Sequence, residues 1–229
     1  MSELTRAPRP TRSTLIRNKV RESSVFPFAV GFRRLGRSVR GSVFDEVTYA
    51  IWLCADDYFA DIRFAYSNSA SNESLDVEQA FSGRVSLDRD HITWYHDIDT
   101  LERGNLYQDE AQFCWKDDLL IEVGEDYVEH WKSFPMLSPQ SYGVAQLFDS
   151  GSHGQNNQGA KLIGRAVVVG ASAIVLWAYP VPGAVLFEAV PDWRMVKSIG
   201  QEVIRPDAVK VLNGISNDHT LPDGWERVV

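Results

Sequence analysis

Cysteine is scarce in this 229-residue chain: only Cys54 and Cys114 are present. Two cysteines make no disulfide framework, and their commoner role is that of small buried apolar side chains. A reducing compartment is expected. Long apolar runs are missing as well, since the stretch at 166–178 is too short and too broken by Gly170 to cross a bilayer. No basic-then-apolar leader opens the chain, so the expected location is cytoplasmic, with no membrane partner. Neither a Gly-x-Gly-x-x-Gly fingerprint nor a Walker loop occurs, and Gly151-Ser-His-Gly is not a nucleophile elbow. His91, His96, His130, His153 and His219 fall at no metal-binding spacing, and there is no Cys-x-x-Cys. We expect no metal and no cofactor.

Charge is plentiful but unevenly spread. Residues 1–40 carry ten Arg or Lys against Glu3 and Glu22, a balance of +8, which leaves −16 on the rest of a chain whose total is −8. An acidic body argues against nucleic acid, because phosphate binding needs a basic face on the folded domain. We read residues 1–40 as a basic N-terminal arm, extended over 1–24, with a more apolar stretch at 25–35 that suits a strand or a short helix. The arm suits a solvated tail, a transit-type segment, or an arm packed on the acidic body of a second subunit in a homodimer.

From residue 43 onward the text changes to short β-rich runs punctuated by Asp, Gly, Asn and Pro, the mark of an antiparallel meander. Residues 47–54 read as a strand buried on both faces. Residues 58–64 place Tyr58, Ala60, Ile62 and Phe64 on one face, and 81–87 and 91–98 alternate again. Residues 111–115 and 119–123 flank a Lys116-Asp-Asp turn as a hairpin. The Pro- and Gly-rich segment at 136–160 reads as a connecting loop. The expected fold is mainly β: a calycin-like antiparallel barrel, or two packed half-barrels at 41–135 and 161–229, since closure is how a long meander disposes of its edges.

The most informative residues are polar ones on strand faces that otherwise look buried. Asp61 and Arg63 lie two apart and point the same way, which allows a charge-assisted pair; the plain alternative is an exposed surface pair. His96 shares a face with Ile92, Trp94 and Ile98, where a histidine is more often a core residue than a catalyst. Glu122 sits on the face of Leu120 and needs a partner there, from Arg63 or from a Tyr or Trp donor. Tyr127, Glu129 and Trp131 line one face of the next strand. Two carboxylates such as Glu122 and Glu129 converging on one pocket would raise one pKa. Each taken alone is more often structural.

The order of these motifs resembles a known family. Trp52, Asp61-Ile-Arg63, Phe81-x-Gly83, the run from Trp94 to Asp99, Glu122-x-Gly124 and Tyr127-x-Glu129-x-Trp131 resemble the Hri family of uncharacterised β-barrel proteins. The likeness covers residues 44–134, with an echo at 162–179. Asp109-Glu-Ala stands where the family pattern has Asp-x-Gly. The resemblance implies calycin (lipocalin- or streptavidin-like) half-barrels and no particular activity.

Three functions follow as alternatives. The first is a barrel that binds a small organic molecule, with Trp52, Asp61, Arg63, Trp94, Tyr127 and Trp131 as binding residues. The second is a cofactor-free acid–base enzyme (isomerase, cyclase or dehydratase) acting on a small secondary-metabolite-like substrate. There His96, Glu122 or Glu129 is the catalytic group, with Arg63 and Tyr127 as oxyanion donors. The third is a protein interaction module working through the basic arm.

Overall fold

The alternation read from residue 47 onward closes on itself. The computed structural model describes residues 29–44, 46, 48–65, 78–101, 108–134, 142–149, 161–178, 181–189, 192–200 and 207–229. Eight antiparallel strands form a closed barrel in chain order: β1 (Ala29–Val39), β2 (Thr48–Ala55), β3 (Tyr58–Ala65), β4 (Gln79–Asp88), β5 (His91–Asp99), β6 (Gln108–Lys116), β7 (Leu119–Val123) and β8 (Tyr127–Phe134). Pairing of β8 with β1 completes the ring and removes both free edges. One end of the barrel is closed by two-residue turns at Asp56-Asp57, Arg89-Asp90 and Asp117-Asp118. The first residue of each is left-handed, with φ of 51°, 56° and 57°, as a tight hairpin that matches strand twist requires.

A second unit follows: β9 (Tyr142–Phe148), β10 (Leu162–Val169), β11 (Ser172–Trp177), β12 (Gly183–Ala189), β13 (Trp193–Ile199), helix α1 (Ala208–Ser216) and β14 (Trp225–Arg227). Its strands make a six-stranded antiparallel sheet in the order β13-β12-β11-β10-β9-β14. β13 is a free edge, with Arg194, Met195, Val196 and Lys197 all exposed, and a register irregularity at Leu186/Phe187 interrupts its pairing with β12.

Apolar side chains settle into three layers. Barrel-interior residues such as Phe32, Trp52, Phe59, Trp94 and Trp131 form the first. Outward residues of the barrel (Ile51, Leu53, Ala60, Ile62 and Phe64) pack on Val144, Val167, Ile174, Leu176 and Leu186 of the sheet as the second. Both faces of β2 and β3 are thereby buried, as the apolar text of residues 47–54 requires. The far face of the sheet packs on α1, whose buried Ala208, Val211, Leu212 and Ile215 recur at helical spacing.

Three boundaries differ from the sequence reading. β1 occupies residues 29–39, which the basic composition assigned to the arm; Arg33, Arg34 and Arg37 hid a strand in which Val30 and Phe32 face the barrel interior. β9 lies inside the expected 136–160 loop. The first unit is a full barrel rather than a half, and the second is an open sheet, because α1 covers the face that curling would otherwise bury. The rest of the expected arm, residues 1–28, lies outside the described residues.

A bulge between β4 and β5 fixes what faces inward. Gly83 pairs with His96 and Ser82 with Ile98, so Asp97 is the extra residue. His96 therefore stays in the barrel while Ile98 joins the outer layer, which corrects the shared face expected for these two. Only glycine fits at 83: a Cβ there would lie 1.7 Å from the Tyr95 carbonyl oxygen. From β10 the buried Arg165 donates to Asp97 at 2.6 Å and to Ser82 at 3.1 Å, so the second unit grips the barrel at its bulge. Gly83→Ala is expected to cost at least about 2 kcal/mol, against less than about 0.5 kcal/mol for the exposed Ser86→Ala on the same strand. Urea denaturation of the two variants checks this.

Candidate functional site

Nine side chains singled out in the sequence lie on interior faces of β2, β3, β5, β7 and β8, but they divide into two groups. Trp52, Trp94 and Trp131 belong to an aromatic cluster. Phe32 stacks on Trp52 at 4.9 Å, and Trp94 and Trp131 meet Trp52 edge-on at 5.7 and 5.8 Å. At these distances the rings fill space against one another. His96 is 6% exposed. Its ring stacks on Phe81 at 4.6 Å and meets Phe59 edge-on at 5.6 Å, so packing explains its burial.

The second group is ionic. It lies toward the end of the barrel where β1 and β3 finish and β2 and β8 begin. Arg63 forks onto Asp61, with Nε donating to Oδ1 at 2.9 Å and Nη2 to Oδ2 at 3.2 Å. This is the bidentate geometry that their two-residue spacing allowed. Arg34, in β1, donates to Glu129 Oε1 at 2.7 Å and to both oxygens of Glu46 at 3.2 Å. Arg37 Nε lies 3.3 Å and Arg63 Nη1 3.9 Å from the same Glu129 oxygen. Three guanidinium groups thus surround Glu129 Oε1, while the buried Oε2 has no hydrogen-bond partner among the described residues. Aromatic faces support the cations: Arg34 lies over Trp131, Arg37 over Tyr127 and Arg63 over Phe81. Burial disfavours the Arg63 cation, yet Asp61 and Glu129 outweigh it and hold this guanidinium well above its usual range.

Water reaches part of this set. The side chains of Arg37, Arg63 and Glu46 are 29%, 18% and 15% exposed, against 1% for Arg34 and 2% for Glu129. The polar group is accessible at its rim and dry at its base.

Glu122 completes it. Tyr127 Oη donates to Oε1 at 2.6 Å and Trp131 Nε1 to Oε2 at 2.9 Å, which supplies the Tyr and Trp donors that its buried position demanded. Glu122 and Glu129 are cross-strand partners on β7 and β8. Burial first, and then the neighbouring Glu129 charge, push the Glu122 carboxyl up to about 8, against the Tyr127 hydrogen bond and Arg63. The protonated carboxyl can donate to Tyr127, whose hydroxyl rotates to accept, and still accept from Trp131. With Glu122 neutral, Arg34, Arg37 and Arg63 face Glu46, Asp61 and Glu129, and Asp109 of β6 adds a further acidic group near Glu122 and Tyr127.

The crystal structure of an uncharacterised protein from Saccharomyces cerevisiae is similar to this chain. It aligns over 89% of this chain and 99% of its own, with a TM-score of 0.62 and 15% sequence identity. The likeness carries the fold alone. No family model matches the chain, and no curated protein sequence does. The barrel fits a calycin-like description, and no helix among the described residues is long and apolar enough to cross a membrane. Among the described residues no three His, Cys, Asp or Glu side chains gather as a metal would require.

Sequence reasoning missed Arg34, Arg37 and Glu46. The available signal was Val30, Phe32 and Arg34 alternating on one face, the same pattern that revealed Asp61 and Arg63. The net basic charge of residues 1–40 masked it.

Two outcomes follow. Arg34→Met leaves Glu129 and Glu46 short of a counter-charge and is expected to cost about 3–5 kcal/mol, with part of the loss recovered in the Arg34→Met/Glu129→Gln double variant; chemical denaturation checks both. Glu122 is raised in the folded protein from an ordinary 4.5 to about 8. Its contribution is therefore complete below about pH 4.5 and is lost as pH rises through about 8. Glu122→Gln removes that loss, so its stability relative to the parent should climb by a few kcal/mol (order of magnitude) between pH 5 and 8 and then level off. Melting temperatures across that range read the difference.

Proposed function

We propose that the chain is a small-molecule-binding barrel whose ligand docks at the ionic end of the interior. The observation that carries this reading is Glu129. A buried carboxylate with three guanidinium groups on one oxygen and, among the described residues, no hydrogen-bond partner for the other is more than barrel closure requires, since each unpaired buried polar atom costs roughly 1–3 kcal/mol. A ligand hydroxyl or amino group would satisfy Oε2. Arg63 and Arg37 are reachable from water and offer donors on the same side. Because the acidic side chains, Asp109 included, at least match the cationic ones, the favoured ligand is small, polar and not an anion. The aromatic cluster forms the floor beneath it rather than an open slot.

The motif order is what supports a kinship with the Hri family. Two cysteines without a bridge suit a cytoplasmic protein. A second reading rests on Glu122: a carboxyl held near neutral titration beside Tyr127 suits proton transfer without a cofactor, as in an isomerase, cyclase or dehydratase. In that reading Glu122 moves the proton, Tyr127 and Arg63 face the developing oxyanion, and His96 takes no part.

Native mass spectrometry of the freshly purified full chain tests the proposal and counts subunits, so a homodimer would register in the same spectrum. The expected result is a bound organic molecule that is lost or weakened at least tenfold in Arg63→Ala and Glu129→Gln. Bare polypeptide in every spectrum, or retention of the molecule by both variants, would overturn the proposal. Turnover of the released molecule by the parent but not by Glu122→Gln would favour the enzyme.

A further inference from the structure

A second, separate cleft of about 430 Å³ lies outside the barrel, at the seam between its wall and the six-stranded sheet. Its volume is within the range of small-molecule sites. Ile51 and Leu186 are its buried base, at 5% and 1% exposure, and the rings of Tyr49 and Phe134 line it. Phe134 reaches this place because residue 31 is glycine: a Cβ there would lie 2.1 Å from the Phe134 ring.

The rim is what the fold does not explain. Arg33 on β1 and Lys132 on β8 are direct cross-strand partners, and both are exposed at the cleft. Like charges placed opposite each other destabilise a strand pair. Lys132 has a loose pair with the exposed Asp118 at 3.5 Å. Among the described residues Arg33 has no ion pair; its guanidinium lies over the Tyr49 ring at 5.0 Å. Two neighbouring cations beside an apolar base, one of them without an ion pair among the described residues, favour an anion between them. Across the cleft, Ser172 and Glu188 of the sheet form the far wall. Glu188 limits the charge the cleft tolerates to a single negative group held on the Arg33–Lys132 side.

We propose that this seam cleft binds a small organic monoanion, a free carboxylate with an apolar body, with Arg33 and Lys132 holding the carboxylate and Ile51, Leu186 and Phe134 receiving the body. It is independent of the ligand proposed for the barrel interior and shares no residue with it.

Isothermal titration calorimetry of the full chain with sodium decanoate, and with uncharged 1-decanol as control, tests this. Expected are one decanoate per chain, binding that weakens as salt rises, and little binding of decanol. Arg33→Gln/Lys132→Gln should weaken decanoate binding at least tenfold, whereas charge-conserving Arg33→Lys should stay within about threefold. All of these positions are exposed, and an unchanged melting temperature verifies the fold. No decanoate binding, equal affinity for decanol, or an unaffected double variant would overturn the site. So would loss of binding in Arg63→Ala with an unchanged melting temperature, which would move the anion into the barrel.

Discussion

The contact on which the rest depends is Arg34 with Glu129, because it lies across the pair of strands that closes the ring. β1 and β8 are separated by most of the barrel sequence. Their ladder has a register shift at Arg34/Gly36, and at that shift the guanidinium meets the carboxylate at 2.7 Å. A buried carboxylate tolerates ionisation only with a partner of opposite charge. Wherever β8 brings Glu129, β1 must bring Arg34. A slip by one residue would turn every interior side chain outward, so this pair and its neighbours Arg37, Glu46 and Arg63 act as a register key. The same key sets the dielectric and charge around Glu122, which is how a purely structural constraint comes to tune a titratable group.

The two units are joined as one object rather than strung together. The outward faces of β2 and β3 would be apolar surface in an isolated barrel; against β9–β12 they become core. Arg165 adds the polar counterpart by holding the Asp97 bulge from the far side. The bulge keeps His96 inside and Ile98 outside. Removing the sheet would thus both expose the wall of the barrel and free the irregularity that orders its interior.

Much of this was written in the letters, and the reasons are particular. Both-face burial of residues 47–54, the hairpin at 111–123 and the inward set of Asp61, Arg63, Glu122 and Glu129 follow from period-two patterning, which survives any tertiary arrangement. What was hidden is what patterning cannot carry. β1 was obscured by its arginines, since a strand whose charges point into a barrel looks like a solvated tail. β9 was obscured by the Pro and Gly residues flanking it. The separation of His96 from Ile98 depended on one extra residue in one strand, and nothing but Gly83 hinted at it. That the aromatic rings fill the barrel floor instead of lining a slot is a matter of packing distances, which no sequence states.

Ring closure has one more effect, on how copies of the molecule meet. A closed barrel offers no hydrogen-bonding rim to a stranger, so among the described residues β13 is the longer of the two edge strands that remain, β14 spanning three residues. β13 joins Met195 and Val196, a sticky pair, to Arg194 and Lys197 on either side. Antiparallel docking of two such edges about their midpoint, Val196, would bring Arg194 and Lys197 of both copies into one short seam. The positive charges then act as gatekeepers against runaway strand exchange.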